Sequence, residues 1–153
     1  TISVIKNKKS ALTFVELFLV IIIIGILVGI SIPNFRKTFN NLQLNSFSQE
    51  LQSFMNYLIQ RSIVEGKIIY LNIGNKEYSA QIQDAPTPFK TSPLPKEVKI
   101  EVTKQAERDN PQILFYPDGG IDKVTIKLTN PDNQEVSLTT EGVFGKVKIK
   151  AQD

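Results

Sequence analysis

Three groups of side chains in this sequence could do chemistry, and each suggests a different kind of site. Glu16 is a lone carboxylate in an apolar run, Asp118 and Asp122 flank two glycines, and lysines recur at alternate positions near the C-terminus. The 153 residues include no cysteine and no histidine, which excludes a thiol nucleophile, an imidazole base and a Cys/His zinc site. Enzyme chemistry is thereby left only to carboxylates, lysine, tyrosine and hydroxyl groups. We expect no enzyme activity and no cofactor.

The location of the Glu16 carboxylate depends on the apolar segment that contains it. Residues 11–32 read ALTFVELFLVIIIIGILVGISI, in which Glu16 is the only ionisable side chain. About 20 apolar residues in a helix cross a bilayer core, so the sequence predicts a transmembrane and assembly helix at 12–33. Basic residues before a span hold the N-terminus in the cytoplasm, and here they are Lys6, Lys8 and Lys9. The rest of the chain then lies outside the cytoplasm.

Glu16 has two interpretations, because a charge costs about 2.5 to 3.5 kcal/mol at the middle of a bilayer and less near the end of a span. The carboxylate could stay hydrated near the interface. Alternatively, a protease could cut after Ala11, the small residue between the basic and apolar segments. The new α-amino group of Leu12 would then be a cation that pairs with Glu16 of a neighbouring copy. The residues alone leave both interpretations open.

The stretch from Lys9 to Pro33 resembles the class III leader and N-terminal helix of type IV pilins and type II secretion pseudopilins. The resemblance implies that residues 1–11 are a leader peptide and that prepilin peptidase cuts between Ala11 and Leu12. It also makes Leu12 the methylated N-terminal residue. The family usually has glycine and phenylalanine at these two positions, where this sequence has alanine and leucine.

The same resemblance assigns roles within the span, beginning with Thr13 and Glu16 in filament assembly. Gly25 and Gly29 form a small-xxx-small pattern through which helices can approach closely, although glycine is also common in membrane helices without such a role. In the family, the helix between Gly25 and Pro33 loosens when a subunit enters a filament. Glycine costs helix stability and proline lacks a backbone donor, so this flexibility is physically reasonable.

After the span, the hydrophobic period indicates a helix and then strands. Apolar residues recur every three or four positions from Phe47 to Ile63, and they predict an amphipathic helix over 34–66 that Gly66 ends. Alternating strand and turn patterns over 67–153 predict an antiparallel β-sheet ectodomain, with an irregular proline-rich loop at 84–95. The long helix should cover the sheet, so the predicted fold class is α+β.

The C-terminal part resembles the GspH/FimT branch of minor pseudopilins. The resemblance lies in residues 114–119, which read LFYPDG, and in residues 140–147, which read TEGVFGKV. It implies a pilin-like fold in which a long helix packs on antiparallel sheets. This fold agrees with the one that the hydrophobic periods predict.

The two remaining candidate sites each have a simpler alternative. Asp118 and Asp122 carry oxygens that suit a cation such as calcium, but we favour a plain turn and expect no metal. Alternating lysines share one face of a strand, and they resemble a basic motif with which some FimT-like pilins bind DNA; these are Lys146, Lys148 and Lys150. We favour a solvated strand face, because loss of the leader's three lysines turns 18 basic and 15 acidic residues into 15 of each.

These expectations combine into one hypothesis, a minor pseudopilin that serves as a structural and assembly subunit of a type II secretion pseudopilus. Its expected partners are other pilin or pseudopilin subunits, prepilin peptidase and inner membrane lipid. Its expected location is the bacterial inner membrane, crossed once with a cytoplasmic N-terminus and a periplasmic ectodomain, and then the filament. The alternative is a minor type IV pilin, for which DNA binding in natural transformation is an option that we do not favour. A membrane-anchored enzyme or receptor is a third class.

Overall fold

A computed structural model describes residues 13–104, 112–141 and 145–152, with the backbone alone at residues 30–34, 104 and 151–152. The chain divides into two compact units, Thr1–Lys37 and Thr38–Asp153. The predicted leader at 1–11, and Leu12 after it, lie outside the described residues.

Helix α1 runs from Phe14 to Glu65 and comprises 52 residues. Its helical backbone continues through Pro33. The helix ends where Gly66 adopts a φ of 62°, the left-handed conformation that glycine takes most easily at a helix C-terminus. The predicted helix end at Gly66 is thus the observed one.

In the N-terminal unit, the large apolar side chains between Phe14 and Val28 are all exposed, from 42% at Val20 to 83% at Phe14. Gly25 and Gly29 have open space where a β-carbon would be. Among the residues that the structure describes, no helix is both long and apolar enough to cross a membrane.

In the second unit, one face of α1 enters the core. Its buried apolar residues recur at helical spacing and are Leu44, Phe47, Leu51, Met55, Leu58 and Ile59. The predicted amphipathic face is therefore confirmed over most of its length. Ile63 is the exception, because it is 47% exposed; it lies at the rim of the core, where its Cδ1 would be 3.4 Å from a β-carbon on Gly119.

In the described part of the chain, eight strands follow the helix, and all their pairings are antiparallel. They are β1 (Ile69–Ile73), β2 (Glu77–Ile82), β3 (Lys90–Pro93), β4 (Lys99–Lys104), β5 (Ile113–Phe115), β6 (Val124–Thr129), β7 (Glu135–Glu141) and β8 (Lys146–Gln152). They form two four-stranded sheets, with the orders β3-β2-β1-β5 and β4-β6-β7-β8. The predicted α+β class is confirmed, and the β region consists of two sheets.

The strand pattern buries alternate side chains of both sheets against α1. In β6 and β7 buried residues alternate with half-buried ones, up to an exposed Glu141 at the end of β7, as expected for strands with one face in the core. Residues from both sheets and from α1, among them Ile69, Phe115, Leu128 and Leu51, belong to one hydrophobic cluster.

The prediction of an irregular loop at 84–95 is wrong in part, because Lys90–Pro93 form β3 and pair with β2. Phe89 and Leu94 flank this strand and pack against the core. The Phe89 N–H donates to the Ala80 carbonyl at 2.9 Å. Pro93 is tolerated because β3 is an edge strand, where one missing backbone donor disturbs little pairing.

Candidate functional site

Thr13 and Glu16 form a reciprocal pair of hydrogen bonds at the start of α1. The Glu16 N–H donates to Thr13 Oγ1 at 3.3 Å, and the Thr13 N–H donates to Glu16 Oε2 at 3.5 Å. This arrangement is a capping box, which satisfies two backbone donors that a helix start otherwise leaves free. The negative carboxylate also lies at the positive end of the helix dipole. The structure therefore shows how these two predicted assembly residues are oriented.

The other predicted sites of the N-terminal segment are described only in part. Ala11 and Leu12, the predicted cleavage and methylation residues, lie outside the described residues. At Gly25 and Gly29, no neighbouring atom lies within 4 Å of the place that a β-carbon would occupy, so a second helix could approach there. The roles of these glycines and of Pro33 in packing and flexibility stay predictions.

Asp118 and Asp122 both accept hydrogen bonds in or beside the turn between β5 and β6. Asp118 Oδ1 accepts a hydrogen bond from the Gly120 N–H at 2.8 Å. Asp122 Oδ1 accepts from the Tyr116 hydroxyl at 3.0 Å, and its Oδ2 accepts from the Leu114 N–H at 3.3 Å. Within the described part of the chain, no three carboxylate, cysteine or histidine residues are grouped so that they could hold a metal ion.

The three C-terminal lysines lie on β8 with exposed side chains. Lys148 forms an ion pair with Glu141 of the neighbouring strand. Lys146 is the residue directly across from Glu141 in the β7–β8 pairing. Lys148 first, and Lys146 to a smaller extent, hold the pKa of the Glu141 carboxyl below its usual value. One acidic side chain therefore offsets part of the positive charge on this strand.

A second ion pair between a lysine and a glutamate lies on the same sheet. Lys127 of β6 contacts Glu135 of β7 with 2.8 Å between Nζ and Oε2. This hydrogen bond is the main reason why the pKa of the Lys127 ammonium is raised, and the charges of Glu135 and Glu101 add to it. The outer face of the sheet thus carries mixed charges, and a nucleic acid would meet carboxylates there as well as lysines.

Asparagine side chains of α1 and of the β6–β7 turn form a cluster that was not predicted from the sequence. Asn130 is 3% exposed, and its Nδ2 donates to Asn41 Oδ1 at 2.7 Å. Its Oδ1 accepts from the backbone N–H groups of Asp132 and Gln134. Asn40 Nδ2 in turn donates to Asp132 Oδ2 at 2.9 Å. These bonds attach the β6–β7 turn to α1 across about 90 residues of sequence.

A second long-range contact holds the proline-rich segment against α1. The guanidinium carbon of Arg61 lies 3.9 Å from the centre of the Phe89 ring. Arg61 also donates to the Tyr57 hydroxyl at 2.9 Å and pairs with Glu65 at 3.4 Å. A cation over an aromatic face is attracted by the ring quadrupole, so Arg61 stabilises the loop that leads into β3.

An open groove of about 300 Å³ lies where α1 meets two turns. Its lining combines polar and apolar residues, namely Asn56, Ile59, Gln60, Ile63, Asp118, Gly119 and Gly145. These side chains include a single carboxylate and no base, so they do not form an acid–base pair.

The long helix on two antiparallel sheets is a GspH-like pseudopilin fold. The chain is similar to the minor pseudopilin EpsH from the type 2 secretion system of Vibrio cholerae, with a TM-score of 0.58, 11% identity, and coverage of 71% of this chain and 96% of that one. It is also similar to Escherichia coli GspH, with a TM-score of 0.53, 14% identity, and coverage of 72% and 89%. No family model matches the sequence, and no curated protein matches it either.

Proposed function

We propose that this chain is a minor pseudopilin, a structural and assembly subunit of a type II secretion pseudopilus. The observation that carries the proposal is the exposed apolar surface of α1 from Phe14 to Val28, joined in one chain to an ectodomain of GspH-like fold. So large an apolar surface is unfavourable in water and needs lipid or other protein around it. In the proposal, membrane lipid covers it before assembly and sister subunits cover it afterwards.

The proposed maturation follows from the leader resemblance. Prepilin peptidase removes residues 1–11 by cutting between Ala11 and Leu12, and the amine of Leu12 is then methylated. The basic leader keeps the N-terminus in the cytoplasm while the segment at 12–33 crosses the inner membrane. The ectodomain lies on the periplasmic side until the subunit leaves the membrane for the filament.

Glu16 has the central role in the proposed assembly step. Its carboxylate would neutralise the Leu12 amine of an adjacent subunit, since a charge in an apolar environment needs a partner. The capping box supports this role, because Thr13 holds the Glu16 side chain at the helix start. Assembly would then exchange the long Thr13 N–H bond for a charged partner, which forms the stronger kind of hydrogen bond.

The subunit would do no catalysis of its own. The absence of cysteine and histidine supports this, as do the hydrogen bonds that occupy Asp118 and Asp122. The alternative, a minor type IV pilin that binds DNA through β8, is weakened by the Lys148–Glu141 ion pair.

The proposal is tested by replacing Glu16 in cells that carry the secretion machinery. Glu16→Val should allow membrane insertion and leader cleavage but prevent incorporation into filaments. Glu16→Gln is the matched control for helix capping, because glutamine can also complete a capping box while it lacks the charge. Both variants should therefore fail to assemble, and sheared filaments probed with an antibody would show it. Normal incorporation of Glu16→Gln would contradict the role of the charge.

The cleavage site has a separate test. N-terminal sequencing of the mature subunit should begin at Leu12, and replacing Ala11 by a bulky residue should leave the leader attached. A mature chain that begins elsewhere would contradict the assigned site.

A further inference from the structure

Strand β8 is the outer strand of its sheet. Among the described residues no strand pairs with its other edge, which presents backbone hydrogen-bonding groups. In an antiparallel pair, successive residues point their N–H and C=O groups alternately toward and away from the partner. Gln52 Nε2 of α1 donates to the Val147 carbonyl at 2.9 Å, so the backbone groups of Val147 point away from β7. Those of Ile149 and Ala151, two and four residues later, point the same way.

The hydrogen bonds between β6 and β7 also indicate which residues of β8 point their backbone groups away from β7. The Asn130 N–H donates to the Gln134 carbonyl, and steps of two along the β6–β7 register lead to the pair of Ile126 and Leu138. The backbone groups of Leu138 therefore face β6. Since Leu138 lies opposite Ile149, the backbone groups of Ile149 face outward. Two independent observations thus place donors and acceptors of Ile149 on the free edge.

The side chains along this edge are positively charged on one face. Lys146, Lys148 and Lys150 are exposed, and alternate residues of a strand lie about 7 Å apart on one face. Glu141 is the acid beside the first two, whereas Lys150 lies opposite Ser137. A second acid of β7, Glu135, lies opposite Gln152 and forms an ion pair with Lys127 of β6. Strand β8 itself contains three lysines and no acid, so the edge carries more positive than negative charge.

We propose that the β8 edge binds an extended acidic segment of a partner protein, which adds to the sheet as a further strand. The backbone of the segment would pair with Ile149 and Ala151, as in β-strand addition. Its acidic side chains, at alternate positions, would lie beside Lys148 and Lys150, where cross-strand pairs of opposite charge are favourable. The Gln52 side chain already donates to the Val147 carbonyl, so the paired segment would end there.

The charge pattern also indicates which partner is excluded. If two copies met through their β8 edges, lysines would lie opposite lysines, and lysines on an edge are a known protection against such pairing. A partner with alternating acidic residues meets no such repulsion. The proposal does not depend on membrane insertion, on leader cleavage or on assembly into a filament.

The test measures binding of a fluorescent peptide of alternating glutamate and valine to the full chain in mild detergent. Fluorescence anisotropy at low and physiological salt should show saturable binding that weakens with salt, because surface charges are screened. The same peptide with methylated backbone amides keeps its charge but cannot donate to the edge. It should bind at least about tenfold more weakly, because the added strand is held mainly by main-chain hydrogen bonds.

Variants of the chain separate the contribution of charge from that of the main-chain hydrogen bonds. Lys150→Glu should weaken binding about tenfold, while Lys76→Glu, an exposed lysine in the turn of the other sheet, should leave it unchanged. Gln52→Ala frees the Val147 carbonyl and should tighten binding about fivefold, as one added hydrogen bond would. Loss of the fold would remove the β8 edge and abolish binding, so a gain in affinity distinguishes release of the Val147 carbonyl from unfolding.

Three results would overturn the proposal. The first is no binding of the acidic peptide, and the second is equal binding of the methylated peptide, which would leave only charge attraction. The third is preferential binding of a duplex DNA oligonucleotide, lost in the double variant Lys146→Ala, Lys148→Ala, which would assign this face to nucleic acid.

Discussion

Gly145 approaches Gly119 so closely that a β-carbon on Gly145 would lie 2.5 Å from the Gly119 carbonyl oxygen. The same β-carbon would be 3.1 Å from two carbon atoms of Ile59. Gly145 also has a φ of 48°. The residue before β8 therefore packs backbone to backbone against the β5–β6 turn, directly above the helix, and this contact allows no side chain.

We predict that Gly145→Ala lowers the free energy of unfolding by about 3 kcal/mol or more. Left-handed backbone strain costs about 1 to 2 kcal/mol, and the clash with Gly119 adds the cost of shifting a turn. Gly66→Ala is the matched control, because its φ is 62° but a β-carbon there meets open space. Urea denaturation in mild detergent should show a loss of only about 1 to 2 kcal/mol for the control. Equal losses would contradict the close contact.

The asparagine cluster predicts a second stability effect. Asn130→Ala should cost about 1 to 3 kcal/mol, because it removes a buried side chain and the three hydrogen bonds that it makes to Asn41, Asp132 and Gln134. Asp132→Asn should be nearly neutral, since an amide oxygen can still accept from Asn40. Denaturation of the two variants tests this, and a double-mutant cycle with Asn41→Ala should show coupling. Additive effects of Asn130→Ala and Asn41→Ala would contradict a direct bond between the two side chains.

Tyr78 predicts a pH dependence at the alkaline end. Burial is the main reason why the pKa of its hydroxyl is raised, and its hydrogen bond to Glu50 adds to this, while Ser92 opposes it. The folded state therefore holds the proton more tightly than the unfolded state, whose pKa is near 10.0. This contribution to stability is complete below pH 10 and is lost as the pH rises through the folded pKa.

The measurement is chemical denaturation of the wild type and Tyr78→Phe at neutral pH and above pH 10. The variant should lose less stability than the wild type over this range, because phenylalanine has no proton to lose. Parallel pH profiles for the two proteins would show that Tyr78 does not titrate differently in the folded state.

We predict that calcium does not change the thermal stability of the protein, because of the hydrogen bonds made by the aspartates of the β5–β6 turn. Both carboxylates already accept hydrogen bonds from this turn and from β5, and a bound cation would have to replace them. The midpoint of thermal unfolding should therefore be the same in calcium and in a chelator. A rise of several degrees with calcium, lost in Asp118→Asn, would reveal a site that this geometry does not indicate.

Local patterns in the sequence predicted the elements of this fold well. The spacing from Phe47 to Ile59 indicates the buried helix face, and Gly66 marks its end because glycine tolerates a positive φ. Both signals depend on neighbours within one turn. Strand β3 was missed because four prolines obscure its pattern, and the contacts that hold it there come from Phe89 and Leu94 packing on the distant core.

The features of the candidate site also divide into those that the sequence predicts and those that only the tertiary structure determines. The position of Glu16 in the apolar run and the alternation of the β8 lysines are visible in the sequence alone, because they depend only on residue order and on the period of a helix or strand. Which carboxylate neutralises Lys148, which backbone groups of β8 remain free, and which turn Asn41 holds were decided by the tertiary structure. Each of these depends on strand order and register between segments far apart in the chain, and local periodicity carries no information about such pairings.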